Sequence, residues 1–127
     1  MAVQVLTSQS LRGARAYHAG VAAEDQVAQM YERAGRAVCA RRWRGSGGEI
    51  DLIARNGAEV IFIEVKQSST HAIAAEHLTL RQMQQIYASA EEFLAGEPKG
   101  LLTEVRFDVA LVDGQGRIEV LENAFAA

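Results

Sequence analysis

Four side chains carry the chemistry this sequence can do. Glu49 and Asp51 stand two residues apart, and Glu64 and Lys66 repeat that spacing further on. Both pairs sit in runs rich in Ile and Val, Glu49 to Ala54 and Glu59 to Lys66, separated by Arg55-Asn56-Gly57-Ala58. Asn-Gly between two such runs signals a β-hairpin. A two-residue Asn56-Gly57 loop predicts Arg55 opposite Ala58, Ile53 opposite Val60, Asp51 opposite Phe62 and Glu49 opposite Glu64. Side chains at i and i+2 share a face of a strand. Glu49, Asp51, Glu64 and Lys66 are therefore expected on one face, and Ile50, Leu52, Ile61, Ile63 and Val65 on the other. Asp51 and Glu64 become diagonal neighbours, within reach of a common ligand. Like charges so placed repel, and a hard divalent cation would remove the repulsion. Mg²⁺ (or Mn²⁺) takes oxygen ligands, commonly binds through one or two carboxylates, and keeps waters for a substrate phosphate. A lysine two residues beyond a ligand suits orienting the attacking water or stabilising charge that builds on phosphorus. The same four residues also fit the solvated face of a one-sided sheet.

The elements that must position them follow from periodicity. Tyr17 to Ala34 reads as an amphipathic helix, with Tyr17, Val21, Val27, Ala28, Met30, Tyr31 and Ala34 on one arc and Gly35 as its stop. Glu24 falls inside the apolar arc, on the face that would pack against the sheet, where it could complete the carboxylate cluster. Residues 1–15 show no clear period and read as a tail or a first helical turn. Residues 37–44 read as a strand and Gly45-Ser-Gly-Gly48 as a loop whose glycines offer backbone to a phosphate. Residues 67–78 are polar and irregular. Thr79-Leu-Arg-Gln82 fits a capping box opening a helix that runs to about Ala95. Thr103 to Val112 alternates as a strand, with Asp108 on its polar side. Asp113-Gly-Gln-Gly116 is a turn before a short last strand, Arg117 to Leu121. The second helix is long enough to cross over to a parallel strand. The expected fold is α/β, with order α-β-β-β-α-β, and a mixed sheet flanked by helices.

Composition sets the limits. The chain has 127 residues and a net charge of −3, the size of one domain spanning residues 1–127. No apolar run approaches the roughly 18 residues of a membrane span, and the first residues lack a basic and apolar leader pattern. Cys39 is the only cysteine, which excludes an intramolecular disulfide and a thiolate zinc site. A reducing cytoplasm is the expected compartment, and Cys39 itself reads as a small core residue. Residues 1–48 hold seven arginines against Glu24, Asp25 and Glu32, net +4, while the remainder is net −7. Arg41, Arg42 and Arg44 surround Trp43, so this strand is a candidate nucleic-acid-binding segment in which Trp43 either stacks on a base or packs at a rim. His71 and His77 read as surface residues, and Ser46 has no base partner that would make it a nucleophile.

Gly48-Glu-Ile-Asp-Leu-Ile-Ala-Arg55 followed by Ile63-Glu-Val-Lys66 resembles the YraN-like family of small bacterial proteins. That family is similar to the restriction-endonuclease-like, or PD-(D/E)xK, nucleases, and to the archaeal Holliday junction resolvases. Gly20-Val-Ala-Ala-Glu24, Arg42-Trp-Arg44, Arg106-Phe-Asp-Val109 and Asn123-Ala-Phe125 extend the resemblance over about residues 18–125. The resemblance implies a restriction-endonuclease-like core, Asp51 and Glu64 as metal-binding and catalytic acids, and Lys66 as the catalytic lysine. It further implies Glu24 as a helix-one acid and the Val65 carbonyl as an extra ligand. This chain departs from it at Gln67-Ser68, where Thr-Arg is usual, and at Arg81, where lysine is frequent. The activity so implied is metal-dependent hydrolysis of phosphodiesters in branched or structured DNA, by a protein that forms a homodimer. A non-catalytic nucleic-acid-binding or partner-binding module that keeps the fold is the rival reading.

Overall fold

The computed structural model of the protein describes residues 8–124, with side chains from residue 20 onward. Helix α1 (Ser8–Arg33) is followed by strands β1 (Ala37–Gly45), β2 (Gly48–Asn56) and β3 (Glu59–Gln67). Helices α2 (His71–Glu76) and α3 (Leu80–Leu94) then lead to β4 (Val105–Val112) and β5 (Ile118–Leu121). The five strands form one mixed sheet in chain order, with β1–β2, β2–β3 and β4–β5 antiparallel and β3–β4 parallel. The expected α/β architecture is thus present, with the second long helix on the parallel crossover. Two differences lie at the ends of the expected elements. Residues 8–15, expected as a tail or a first helical turn, belong to α1, and residues 71–76 form the short helix α2 inside a stretch that reads as irregular.

The sheet is buried on both faces. Ala23, Val27, Ala28 and Tyr31, on one stripe of α1, pack on Leu52, Ala54, Ile61, Ile63, Ala110 and Val112. On the other face Ile86, Ala90 and Leu94 of α3 pack on Ile53, Val60, Phe62, Phe107, Val109 and Leu111. Each fully buried aliphatic side chain contributes about 1.5–3 kcal/mol relative to exposure. The capping box is complete: Gln82 N–H donates to Thr79 Oγ1 at 3.1 Å and Thr79 N–H to Gln82 Oε1 at 3.3 Å. A fully buried Asp108 ties α1, β4 and the turn after β5 together. It accepts from Arg106 Nε and Nη2 at 2.8 Å each, from the Tyr31 hydroxyl at 2.7 Å, and from Asn123 N–H at 3.0 Å. Asp108 is therefore structural, and it does not face solvent.

The hairpin register differs from expectation by two residues. Asn56 pairs with Glu59, Arg55 with Val60, and Leu52 with Ile63. Gly57, at φ +62°, opens the two-residue turn, a position that tolerates few side chains at positive φ. A shift of two keeps every side chain on its face. It also brings Asp51 level with Glu64 instead of diagonal to it. The alternation of β2 then breaks at Asp51. Ile50 was expected beside Leu52, yet it packs with Ile53 on the α3 side. The β2–β3 ladder stops at Leu52 and Ile63, while β2 stays paired to β1 through Arg41–Leu52 and Trp43–Ile50. Arg42, between those pairs, sits at φ +50°.

Candidate active site

Where β2 leaves β3, the Asp51 side chain takes over a main-chain role. Val65 N–H donates to Asp51 Oδ2 at 2.8 Å. This fixes the Asp51 carboxyl in the opening between the two strands, close enough to Glu64 for one carboxyl to hydrogen-bond the other. Glu64 is buried, 8% exposed, because it continues the Val60-Phe62 side of β3 under the α2–α3 layer. Lys66, two residues on and also largely buried, places Nζ 3.2 Å from Glu64 Oε1.

Burial dominates the electrostatics. Loss of water pushes Glu64 up to about 8, helped by the charge of Asp51 and opposed by Lys66. Asp51 is pushed up to about 6, again chiefly by desolvation. The Val65 N–H opposes that shift and the charge of Glu24 adds to it. Two acids whose ionised forms burial disfavours, in a largely dry corner with a lysine at hand, are the departure from an ordinary surface that functional sites show.

Glu24 reaches the edge of this group from α1. It is held by Arg42, whose Nε lies 2.9 Å from Glu24 Oε2. Glu49 does not join; it is paired with Arg44 at 3.3 Å. Arg41 is paired with Asp25 at 2.6 Å. All three arginines of the basic strand thus carry acidic partners; Arg44 and Glu49 are cross-strand neighbours of the β1–β2 hairpin, whereas nothing in local spacing foretells the two pairings with α1. Among the described residues no three His, Cys, Asp or Glu side chains form a ready-made metal cage. The donor set that does converge is the oxygens of Asp51 and Glu64, with Glu24 beyond.

The remaining expectations sort as follows. Trp43 packs edge-on against Phe93, with ring centroids 5.5 Å apart, so that ring serves the core of the α3 side. Ser46 is taken up by Glu92, to which its N–H donates at 2.7 Å and its hydroxyl also donates. The glycine loop is pressed on α3, not opened to a phosphate: a Cβ on Gly47 would lie 2.7 Å from Gln85 O and 2.8 Å from Ala88 Cβ. Cys39 is exposed on the edge strand and not in the core. His71 bonds the Arg117 carbonyl at 2.8 Å and faces Glu119 at 3.2 Å, and His77 is exposed. A cavity of about 200 Å³ lined by Arg55, Ala58, Glu97, Pro98, Lys99 and Thr103 lies at the hairpin-turn end of β2 and β3, away from Asp51 and Glu64.

The comparisons with known proteins agree with one another. The model of "Uncharacterised protein family UPF0102" matches residues 23–112, a span that holds Glu24, Asp51, Glu64 and Lys66. A UPF0102 protein of Cereibacter sphaeroides strain KD131 is 66% identical over 117 residues, covering 92% of this chain and 100% of the relative. One of Ruegeria pomeroyi is 61% identical, covering 90% and 93%. One of Dinoroseobacter shibae is 48% identical, covering 88% and 84%. The chain belongs to the uncharacterised protein family UPF0102, as its YraN-like resemblance implied.

Proposed function

We propose that the protein is a metal-dependent endonuclease that hydrolyses phosphodiesters in branched or structured DNA. The observation that carries this reading is the crowding of two largely buried carboxyls, Asp51 and Glu64, beside the ammonium of Lys66. A hard divalent cation fits that donor set. It supplies the positive charge the pair lacks, and carboxylate oxygen is the ligand type Mg²⁺ and Mn²⁺ take. Asp51 and Glu64 would hold it, with Glu24 as a further oxygen donor. When bound, such an ion polarises the scissile phosphate and lowers the pKa of a bound water. The chain's own residues do the rest. Val65 N–H keeps the Asp51 carboxyl in place, and Glu64 anchors Lys66. Lys66 then orients the attacking water and offsets charge that builds on the phosphoryl oxygens. The arginines of β1 would bind the phosphate backbone, which positions a substrate without specifying sequence. A DNA partner, a homodimer and a reducing cytoplasm, with Cys39 as a free thiol, complete the proposal.

The rival reading is a non-catalytic nucleic-acid-binding or partner-binding module. One observation favours it: Glu24 is occupied by Arg42 instead of turned into the pair. A cleavage assay separates the two. Duplex, single-stranded, flap and four-way DNA are incubated with the protein and Mg²⁺ or Mn²⁺, with Lys66→Ala as control. Cleavage of branched DNA by the wild type, lost in Lys66→Ala, is the expected result. Intact DNA in every lane, or equal cleavage by both proteins, overturns the nuclease reading.

A further inference from the structure

We infer that the cavity at the hairpin-turn end of β2 and β3 binds a small α-amino acid with a short aliphatic side chain. The site lies away from Asp51 and Glu64, and it does not depend on the nuclease reading. About 200 Å³ is lined by Arg55, Ala58, Glu97, Pro98, Lys99 and Thr103. The Glu97 side chain is only 9% exposed. Its Oε1 lies 2.6 Å from Arg55 Nη1, yet off the line of that N–H, and no hydrogen bond reaches this buried oxygen. A buried carboxylate short of donors is rare in a folded protein, and it marks a place for one. The backbone fixes it there: Glu97 N–H donates to the Leu94 carbonyl at 2.9 Å, and the Glu97 carbonyl accepts from Gly100 N–H at 3.0 Å. Thr103 is a second acceptor, because its hydroxyl proton is committed to the Gly100 carbonyl at 2.6 Å. The donors are Lys99 and Arg55. Lys99 is exposed and makes no ion pair among the described residues. Arg55 has five N–H donors, more than Glu97 and its other neighbour, Cys39, take up, and its guanidinium is steadied over the Phe93 ring, 6.0 Å from the centroid.

Two acceptors and two cationic donors around one small space suit a ligand that carries both signs. The ammonium of an α-amino acid would donate to Glu97 and Thr103, and its carboxylate would accept from Lys99 and Arg55. Charges then alternate around the site, and each hydrogen bond has an ionised partner, which makes it a strong one. Ala58, Pro98 and the aliphatic stems of Arg55 and Lys99 leave an apolar wall for a short side chain. Larger ligands are excluded by size, since sites for cofactors and drug-sized molecules run to about 300–1,000 Å³. No aromatic ring lines the cavity, so a nucleobase finds nothing to stack on. A simple carboxylate would leave Glu97 without its donor, and a simple amine would meet two cations with one acid.

Titration calorimetry on the full chain tests this, with L-alanine, L-valine and L-leucine as probes. Three analogues of valine alter one head group each: isovalerate lacks the ammonium, isobutylamine lacks the carboxylate, and α-hydroxyisovalerate replaces the ammonium with a hydroxyl. At least one of the amino acids should bind, and each analogue should bind at least about tenfold more weakly, the loss expected when a hydrogen bond between charged groups is removed. Glu97→Gln and Lys99→Met should each weaken amino-acid binding by a similar factor. Lys99 is exposed and Met keeps its apolar stem, so that variant folds and decides the question even if Glu97→Gln, checked by circular dichroism, does not. Heat from none of the three amino acids overturns the inference. So does an analogue that binds as tightly as valine, or undiminished binding by Lys99→Met.

Discussion

Asp51 and Glu64 lose water on folding, and the loss is unfavourable to their charged forms. Both have folded-state pKa values above their unfolded ones. Their contribution to stability is thus whole below about pH 4 and is lost as pH rises through about 6 and then about 8. In EDTA the protein should melt at a lower temperature at about pH 8.5 than at about pH 5.5 from this source, and Glu64→Gln should shrink the difference. A divalent cation takes the place of the proton, so the rise in melting temperature on adding Mn²⁺ should itself grow across the same window. Asn at position 51 keeps an oxygen acceptor for the Val65 N–H and removes one charge. Asp51→Asn should therefore be the more stable protein without metal and should lose most of the Mn²⁺ response. For the wild type that response should be about 2.7 kcal/mol at a hundredfold excess over Kd. Thermal denaturation across a metal titration reads all of this, and equal Mn²⁺ responses in the two proteins would mean that Asp51 holds no metal and would remove the chemical basis of the nuclease reading. These residues were legible in the sequence because the hairpin signal and strand alternation bring Asp51 near Glu64 and Lys66, although the break in β2 at Asp51 left no trace in the pattern. The same logic was blind to Arg42 on Glu24, a contact between α1 and β1 that no local period encodes.

At the scale of elements, the site depends on how the β1–β2 loop is pressed onto α3. Ser89 is fully buried and its hydroxyl donates to the Gly48 carbonyl at 2.7 Å, just before β2 runs on to Asp51. Gly47 allows the approach, since a Cβ there meets helix backbone at 2.7 Å and Ala88 at 2.8 Å. Neither obstacle is a flexible side-chain tip, so Gly47→Ala should cost about 1–3 kcal/mol, the ordinary penalty for forcing extra volume into a packed contact. Its melting temperature should fall by several degrees, measured against Gly57→Ala, where the cost comes from positive φ instead of a clash. An unchanged Gly47→Ala protein would mean that the loop does not rest on α3. The glycine run was readable as a loop, but which surface it meets was not, because the partners lie on α3, far along the chain. The capping box at Thr79 and the parallel crossover were readable because both are local or topological rules. Helix α2 was not: it is one short stretch with a single buried residue, Ala74, and it leaves no stripe to find. The hairpin register was misjudged because Asn-Gly serves equally well with Asn as the last strand residue, as here, or as the first turn residue.

For the whole molecule, charge decides how a polyanion would be met. The chain is net −3, and the strand that concentrates arginine has Arg41, Arg42 and Arg44 each against an acid. Long-range attraction is weak, and DNA must compete locally for each guanidinium. The exposed pairs Arg41–Asp25 and Arg44–Glu49 contribute about 0–1 kcal/mol each, so exchange of carboxylate for phosphate there is nearly neutral in contact energy. The net drive would come from counterions released by the DNA. That source has a signature: the logarithm of affinity falls linearly with the logarithm of salt, by about 0.9 for each phosphate neutralised on duplex DNA. Replacing Arg41, Arg42 and Arg44 together by Gln should flatten the slope by about 2–3 while leaving Asp51, Glu64 and Lys66 in place. Because the substitutions also free Asp25, Glu24 and Glu49, affinity at low salt should drop by more than the loss of three contacts alone predicts, and Mn²⁺ binding should tighten in the same protein. Fluorescence anisotropy with duplex and four-way DNA over a salt series checks the slope. A slope unchanged by the triple substitution removes β1 from the interface and moves any DNA contact to another surface of the protein.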